Sequence, residues 1–294
     1  MQLIQCTASD GVRLDGILQR SFKNATHDLD VEVVLMLHGT GGNFYSSSFM
    51  AGLGDHFARC SVHVVRANTR GHDGVVMSSV NGFHKYLGAA FERVDDCRLD
   101  IAAWLGTLVE RGYTRIVLAG HSLGAIKAIY SQAYEPHPAV THLVAMSPPR
   151  LSHDYFRNSA RGELFMDEFQ RAQSAVEAGQ PNTLMQLKFP FPYLITAAGH
   201  VDKYGPQERY DILRFVELAR LPMFFTYGSA ELQNGLTFQC MPEALEAKAA
   251  EHELNLKLAI IAGADHNYTS THTGLGERIT RWLHQQPVAQ RRVS

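Results

Sequence analysis

The sequence predicts an α/β fold with a mainly parallel sheet of eight strands, helices on both faces and one long inserted segment. Six runs are almost continuously apolar, as in strands that are buried on both faces. Amphipathic segments lie between most of these runs, and this alternation is typical of parallel sheets. The alternation breaks at Pro148–Arg220, a stretch too long for an ordinary connection between two strands.

The elements follow in order along the chain. Two short alternating segments, around Leu3–Thr7 and Arg13–Arg20, are joined by the turn sequence SDG and predict an antiparallel hairpin. The six buried strands that complete the sheet are predicted at Val31–Gly39, Ser61–Asn68, Arg115–Gly120, Val140–Ser147, Leu221–Gly228 and Leu254–Gly263. Helices with apolar residues at helical spacing are predicted at residues 46–60, 92–112, 123–134, 242–253 and 275–286.

This order divides the chain into a core, residues 1–147 and 221–294, and an inserted lid, residues 148–220. The lid contains an amphipathic helix at 161–179 and is rich in aromatic residues. Aromatic side chains that face the rest of the protein would line an apolar pocket. The aromatic residues are Tyr155, Phe156, Phe165, Phe169, Phe189, Phe191, Tyr193 and Tyr204. Polar contacts from the lid could come from His153, His200, Asp202 or Lys203, which the sequence does not rank.

Composition excludes several classes of function. The net charge of −2 gives no electrostatic footprint for nucleic acid or anionic lipid, and the only basic cluster is the terminal QRRVS. The four cysteines form no CxxC pair and no zinc-site spacing, so we expect inert thiols and no metal. No apolar run is long enough to span a membrane, and the first residues lack the pattern of a signal peptide. We therefore expect a cytoplasmic protein without membrane partners; its oligomeric state is not predicted.

One short motif predicts a catalytic nucleophile. The residues from Gly120 to Gly124, GHSLG, match the pattern G-x-S-x-G and lie between a predicted strand and a predicted helix. In such a turn the central Ser122 adopts strained backbone angles, and small flanking residues let the strand and helix pass each other. The amides at the start of the helix favour a developing anion. The alternative is that Ser122 only caps the helix.

The loop after the first buried strand predicts an oxyanion hole. Its sequence, HGTGG from His38 to Gly42, allows a sharp turn that exposes backbone amides. We expect the amides of Thr40 and Leu123 to form the pair of donors, with Gly41 as the second choice, and His38 to brace the loop. A phosphate-binding loop is the weaker alternative, because neither G-x-G-x-x-G nor GK[ST] is present.

A base and an acid should follow the nucleophile in the order serine, acid, histidine. His266 lies just after the last predicted strand, in a glycine-containing polar loop. Glu231 is the one carboxylate after the strand that follows the lid, although an aspartate is more usual there. Asp265 is the competing acid, but side chains of successive residues usually diverge, so it is the weaker candidate for reaching Nδ1 of His266.

Together these motifs resemble the α/β-hydrolase superfamily. The matching stretches are HGTGG, RANTRGHDG, GHSLG, GSAE and GADH, within Gly11–Leu283. The resemblance implies the eight-stranded α/β-hydrolase sheet and structural roles for Arg70 and Asp73. A narrower similarity, in LGAAFERVDDCRLDIAAWL and FPYLITAAGHVDKYGPQERYDIL, is to a group that includes fungal esterases of hydroxamate siderophores. This similarity favours ester substrates.

The predicted function is therefore that of a serine hydrolase, which cleaves a carboxylic ester of a small or medium-sized molecule through an acyl-enzyme. Ser122 would attack the carbonyl, His266 would accept its proton, and Glu231 would orient the imidazole. Thr40 and Leu123 would stabilise the oxyanion, and no cofactor is needed. A thioesterase, a lactonase or an acyltransferase could use the same triad. A non-catalytic ligand receptor on the same fold is the alternative from another class.

Overall fold

A computed structural model describes residues 1–22 and 29–286 of the protein. Residues 287–294, which contain the terminal basic cluster and the end of the predicted core, lie outside the described residues. The strands are β1 (Gln2–Thr7), β2 (Arg13–Gln19), β3 (Val33–Leu37), β4 (His63–Ala67), β5 (Val76–Val80), β6 (Phe83–Leu87), β7 (Ile116–His121), β8 (Val140–Met146), β9 (Leu184–Leu187), β10 (Tyr193–Thr196), β11 (Met223–Gly228) and β12 (Leu256–Ile261). The α-helices are α1 (Ser48–Arg59), α2 (Cys97–Glu110), α3 (Leu123–Tyr134), α4 (His153–Arg157), α5 (Gly162–Glu177), α6 (Ala197–Tyr204), α7 (Ser229–Asn234), α8 (Met241–Glu251) and α9 (His272–Gln285). Short 3₁₀ turns lie at Val94–Asp96, Ile212–Arg214 and Val216–Leu218.

Eight of these strands form the central sheet, in the order β1-β2-β4-β3-β7-β8-β11-β12. The β1–β2 and β2–β4 pairs are antiparallel, and all the other neighbours in the sheet run parallel. The prediction of a mainly parallel eight-stranded sheet that begins with a hairpin is thus confirmed. Every residue of β3 and β7 is buried, which explains why these strands appear in the sequence as unbroken apolar runs.

Two hydrophobic cores cover the two faces of the sheet, and β3 supplies side chains to both. Val33 and Leu35 pack with residues of α2 and α3 on one face. Val34 and Met36, which alternate with them, pack with residues of α1 and α9 on the other face. Because successive strand side chains point to opposite faces, one short apolar run holds both layers of helices.

The segment of residues 148–220 leaves the sheet after β8 and returns in the neighbouring strand, β11. It contains α4, α5, the antiparallel pair β9–β10 and α6. Phe156, Phe165, Phe189 and Tyr204 are buried in its interior, so much of the aromatic content serves its own packing. The sequence did not predict the β9–β10 pair, the β5–β6 hairpin or the short helix α7, because each is brief and has no long apolar period.

Candidate active site

The turn between β7 and α3 holds Ser122 in a strained conformation. Its backbone has φ 55° and ψ −123°, a region that residues with side chains rarely adopt. A Cβ at Gly120 would lie 2.1 Å from the carbonyl oxygen of Gly124, and a Cβ at Gly124 would lie 2.5 Å from that of His38. Both glycines are therefore sterically required. The Ser122 side chain makes no capping hydrogen bond to α3, which disfavours the reading of Ser122 as a simple helix cap.

Ser122 opens into a cavity of about 560 Å³, a volume suited to a small or medium-sized organic molecule. His266, Thr40 and Leu123 line the same cavity. Other walls come from residues 148–220, among them Phe189, and from residues 234–238 after α7. The fold therefore brings the ends of several sheet strands and the inserted segment to one enclosed space.

Glu231 and His266 meet at this site. Nδ1 of His266 lies 2.8 Å from Oε2 of Glu231, and the carboxylate is buried with 5% of the residue exposed. The other oxygen of Glu231, Oε1, accepts hydrogen bonds from the amide of Gly228 (2.6 Å) and from the hydroxyl of Ser147. Because a carboxylate accepts, the proton of the neutral imidazole lies on Nδ1 and Nε2 keeps its lone pair.

A buried hydroxyl network, which no sequence pattern predicted, supports the Glu231 carboxylate. The hydroxyl of Tyr268 lies 2.8 Å from the hydroxyl of Ser147 and 2.8 Å from that of Thr226. Burial raises the pKa of Tyr268 well above its usual range, so its phenol stays protonated. Ser147 follows β8, Thr226 belongs to β11 and Tyr268 follows β12, so three neighbouring strands converge on Glu231.

His121, next to the nucleophile, supports the loop that carries His266. Its Nε2 donates to the carbonyl oxygen of His266 at 2.7 Å, and the two rings lie 4.7 Å apart. Burial lowers the pKa of His121 to about 3, so the ring is neutral and its proton is on Nε2. The sequence predicted only lining or packing for His121, because a bond to a backbone carbonyl 145 residues away leaves no local pattern.

The predicted oxyanion donors lie beside Ser122. A Cβ at Gly39 would lie 2.9 Å from Cβ of Ser122, so the loop that contains Thr40 passes directly over the nucleophile. Within the described residues, the amides of Thr40 and Leu123 donate to no other group of the protein. His38 donates from Nδ1 to the carbonyl of Gly39 (2.8 Å) and accepts from the amide of Thr69 (3.0 Å), which braces this loop.

Asp265, the weaker candidate for the acid, and Ser122 are both unbonded to the imidazole of His266 in the described part of the chain. The carboxylate of Asp265 accepts from the amide of Thr269 at 2.8 Å and is exposed, so it is engaged away from the imidazole of His266. Ser122 and His266 line the same cavity, but no hydrogen bond joins their side chains in the described part of the chain. Catalytic hydrogen bonds of this kind often tighten only when substrate binds.

The RGHD loop is structural, as the resemblance implied. The Arg70 guanidinium binds Asp100 at 2.8 Å and Asp10 at 2.8 Å, and Asp73 accepts from Asn43 at 2.7 Å. These bonds tie the loop after β4 to α2 and to the first hairpin.

Across residues 1–22 and 29–286, no group of three or more histidine, cysteine or acidic residues is arranged to hold a metal ion. In the same part of the chain, no helix has the length and apolarity needed to cross a bilayer.

A family model described as the alpha/beta hydrolase family matches residues 34–293. A comparison with curated proteins finds no significant match. Solved structures of the same fold include Est1E from Butyrivibrio proteoclasticus with ferulic acid bound, which is 16% identical, with 96% of this chain and 98% of that chain covered and a TM-score of 0.65. DcsB, in complex with its substrate analogue, is 13% identical, with 98% and 99% covered and a TM-score of 0.68. A thermophilic esterase from Thermogutta terrifontis is 15% identical, with 97% and 99% covered and a TM-score of 0.59.

Proposed function

Because the chain belongs to the alpha/beta hydrolase family, we propose that it is a serine hydrolase that cleaves a carboxylic ester of a small or medium-sized molecule through an acyl-enzyme. The observation that carries this proposal is the bond between His266 Nδ1 and the buried Glu231, beside a cavity into which the strained Ser122 opens. An acid, a base and a nucleophile in this arrangement can activate a hydroxyl for attack on a carbonyl.

The proposed reaction proceeds in two halves. Nε2 of His266 takes the proton of Ser122 as Oγ attacks the ester carbonyl, and Glu231 stabilises the imidazolium that forms. The amides of Thr40 and Leu123 donate to the oxyanion of the tetrahedral intermediate, with about 3 kcal/mol expected from each donor. His266 then protonates the departing alcohol, and an acyl group stays on Ser122. Water, activated by the same imidazole, attacks the acyl-enzyme and releases the acid.

We propose further that residues 148–220 act as a lid over this site. Its support is that Leu151, Phe189 and Tyr204, all from this segment, line the cavity opposite the sheet. Walls of this kind exclude water from the oxyanion and select the shape of the substrate.

The same groups would react with a thioester or a lactone, and with an alcohol in place of water they would catalyse acyl transfer. A comparison of p-nitrophenyl esters of increasing acyl length with thioesters and lactones separates these activities. Est1E and the Thermogutta esterase share the fold only, at 16% and 15% identity, so their substrates do not define this one.

Treatment with a fluorophosphonate followed by intact mass measurement tests the nucleophile. We expect one adduct on the wild type and none on Ser122→Ala. Absence of an adduct on the wild type, or an equal adduct on the variant, would refute the proposal and favour a non-catalytic ligand receptor.

A further inference from the structure

Lys203 lies in the wall of the candidate active-site cavity, and the nearby buried charge opposite to its own, on Glu92, is shared with Lys127. It belongs to α6, only 2% of it is exposed, and it lines the cavity that contains Ser122. Within the described residues its Nζ makes no hydrogen bond. The nearest aromatic face is that of Tyr193, whose ring centre lies 5.3 Å from Nζ. An ammonium group in this position is costly unless an anion meets it.

Of the carboxylate oxygens around Lys203, Oε2 of Glu92 is the one that has no hydrogen-bond partner within the described residues. Glu92, the nearby buried acid, forms an ion pair with the buried Lys127, which also donates to the hydroxyl of Thr69 at 3.0 Å. Asp202, the sequence neighbour, accepts from Arg209 and from Tyr210, each at 2.9 Å. Lys127 and Lys203 therefore share one carboxylate. The buried set of Glu92, Lys127 and Lys203 carries two positive charges and one negative charge.

The lining of the cavity also carries more positive than negative charge. Among the described lining residues the formally charged side chains are Lys203 and Arg161, and no aspartate or glutamate lines the cavity. Burial lowers the pKa of Lys203 to about 8, which still leaves the ammonium protonated at neutral pH. A cavity with cations and no carboxylates in its wall favours an anionic ligand.

We propose that Lys203 binds a carboxylate of the substrate, so that the preferred substrates are esters with a free carboxylate on the acyl or the alcohol part. This inference rests on the proposed esterase function, because it assigns the substrate class of the same site. The ester carbonyl lies at Ser122, and the buried Nζ of Lys203 turns into the cavity to form an ion pair with the carboxylate, while Phe189 and Tyr204 form the walls of the cavity. Such a pair is strong because it is shielded from water.

Two pairs of esters of matched length test this substrate class. On the acyl side, the mono-4-nitrophenyl ester of hexanedioic acid is compared with 4-nitrophenyl heptanoate. On the alcohol side, 4-acetoxybenzoate is compared with its methyl ester. We expect the wild type to prefer the anionic member of at least one pair in kcat/KM. Lys203→Met should lower that preference about tenfold or more.

The control is Lys188→Met, which removes an exposed lysine from the same segment. This variant should keep the wild-type ratio of kcat/KM between the anionic and the neutral ester. Equal kcat/KM for the charged and neutral members of both pairs, or an unchanged ratio in Lys203→Met, would overturn the proposal.

Calorimetry separates this inference from the proposed reaction, because Ser122→Ala can bind an ester without cleaving it. We expect Ser122→Ala to bind the hexanedioate ester about tenfold or more tightly than does the double variant Ser122→Ala/Lys203→Met. If the wild type cleaves no ester and takes no fluorophosphonate, the proposed function fails, yet this difference in Kd still supports the anion site. No detectable binding, or the same Kd for both proteins, overturns it.

Thermal unfolding distinguishes substrate binding from a structural role. An unpaired buried ammonium destabilises the fold, so Lys203→Met should raise Tm. Lys127→Met removes the direct partner of the buried Glu92 and should lower it. A fall in Tm for Lys203→Met of the same size as for Lys127→Met would assign Lys203 to the structure and overturn the proposal.

Discussion

Replacing Glu231 with glutamine tests the geometry of the site most directly. Both carboxylate oxygens of Glu231 accept from donors: Oε1 from Gly228 and Ser147, and Oε2 from Nδ1–H of His266. Glutamine has one oxygen and one NH₂ group. If its oxygen stays with Gly228, its NH₂ faces His266 and forces the proton of the imidazole onto Nε2. In that tautomer the imidazole cannot accept the proton of the nucleophile.

The magnitude of the effect follows from the lost charge. Two unit charges about 4 Å apart interact by about 4 kcal/mol at an effective dielectric constant of about 20. Glu231 is buried and the side chain of His266 is 34% exposed, so an intermediate dielectric constant of this size suits the pair. At about 1.4 kcal/mol for each factor of ten, the loss of the imidazolium–carboxylate interaction corresponds to a decrease in kcat of about 1,000-fold.

The assay is steady-state hydrolysis of 4-nitrophenyl butyrate, with circular dichroism to establish that the variant folds. Asp265→Asn is the matched control: the Asp265 carboxylate is exposed and bound to Thr269, so kcat should stay within about threefold. A folded Glu231→Gln protein that retains a tenth of the wild-type kcat, or a larger loss in Asp265→Asn, would refute this reasoning.

Three further predictions concern the supports of the site. Gly124→Ala should destabilise the fold by about 1–3 kcal/mol and abolish ester hydrolysis, because its Cβ would lie 2.5 Å from the backbone carbonyl oxygen of His38. Gly274→Ala, in α9 with no atom within 4 Å of the added Cβ, should instead be neutral or raise stability by up to about 1 kcal/mol in urea denaturation. Asp100→Asn should cost about 3 kcal/mol in the same measurement, since it removes the buried partner of Arg70; an unchanged midpoint would contradict that role. His121→Phe keeps the ring volume but loses the donor to the His266 loop, and we expect about a tenfold slower reaction with fluorophosphonate; labelling at the wild-type rate would show that this bond does not position the base.

Much of the fold was predictable because its signals are local. The parallel strands inside the sheet are largely buried on both faces, so each appears as an apolar run, and β3 and β7 are buried throughout. The elbow at Ser122 is also local, since a tight strand-to-helix turn requires glycines at fixed offsets. For Glu231 and His266, the order along the chain and the positions after strands were enough to predict the two residues that the fold brings together.

The rest of the site depends on strand register, which no short pattern encodes. Met146 pairs with Thr226 in the parallel β8–β11 ladder, and the next amide, that of Ser147, donates to the Thr226 carbonyl at 2.7 Å. This register alone places Ser147 against Glu231. Tyr268 reaches the same point from the loop after β12. A shift of two residues between β8 and β11 would keep every apolar face and still dismantle the hydroxyl network.

The sequence named Lys203 with three other polar residues of the inserted segment and could not rank them. The structure separates them by their partners and positions: neither ring nitrogen of the buried His200 has a hydrogen-bond partner in the described residues, but His200 does not line the cavity. Nδ1 of His153 bonds to the carbonyl of Tyr204 at 2.9 Å, and Asp202 bonds to Arg209. Lys203 combines burial, a place in the cavity wall and an unbonded Nζ. These are properties of the surroundings rather than of the residue, so only the folded chain reveals them.

The position of β12 at the edge of the described sheet determines which part of the site opens first in denaturant. This strand is the last in the described sheet, pairs there with β11, and five of its six residues are half-exposed or exposed. Edge strands open at lower free energy than central ones. His266 follows β12, whereas Ser122 follows the central strand β7. The proposed base and the proposed nucleophile therefore reside in parts of the fold with unequal resistance to opening. A low concentration of denaturant should therefore abolish ester hydrolysis reversibly while the central sheet is still folded.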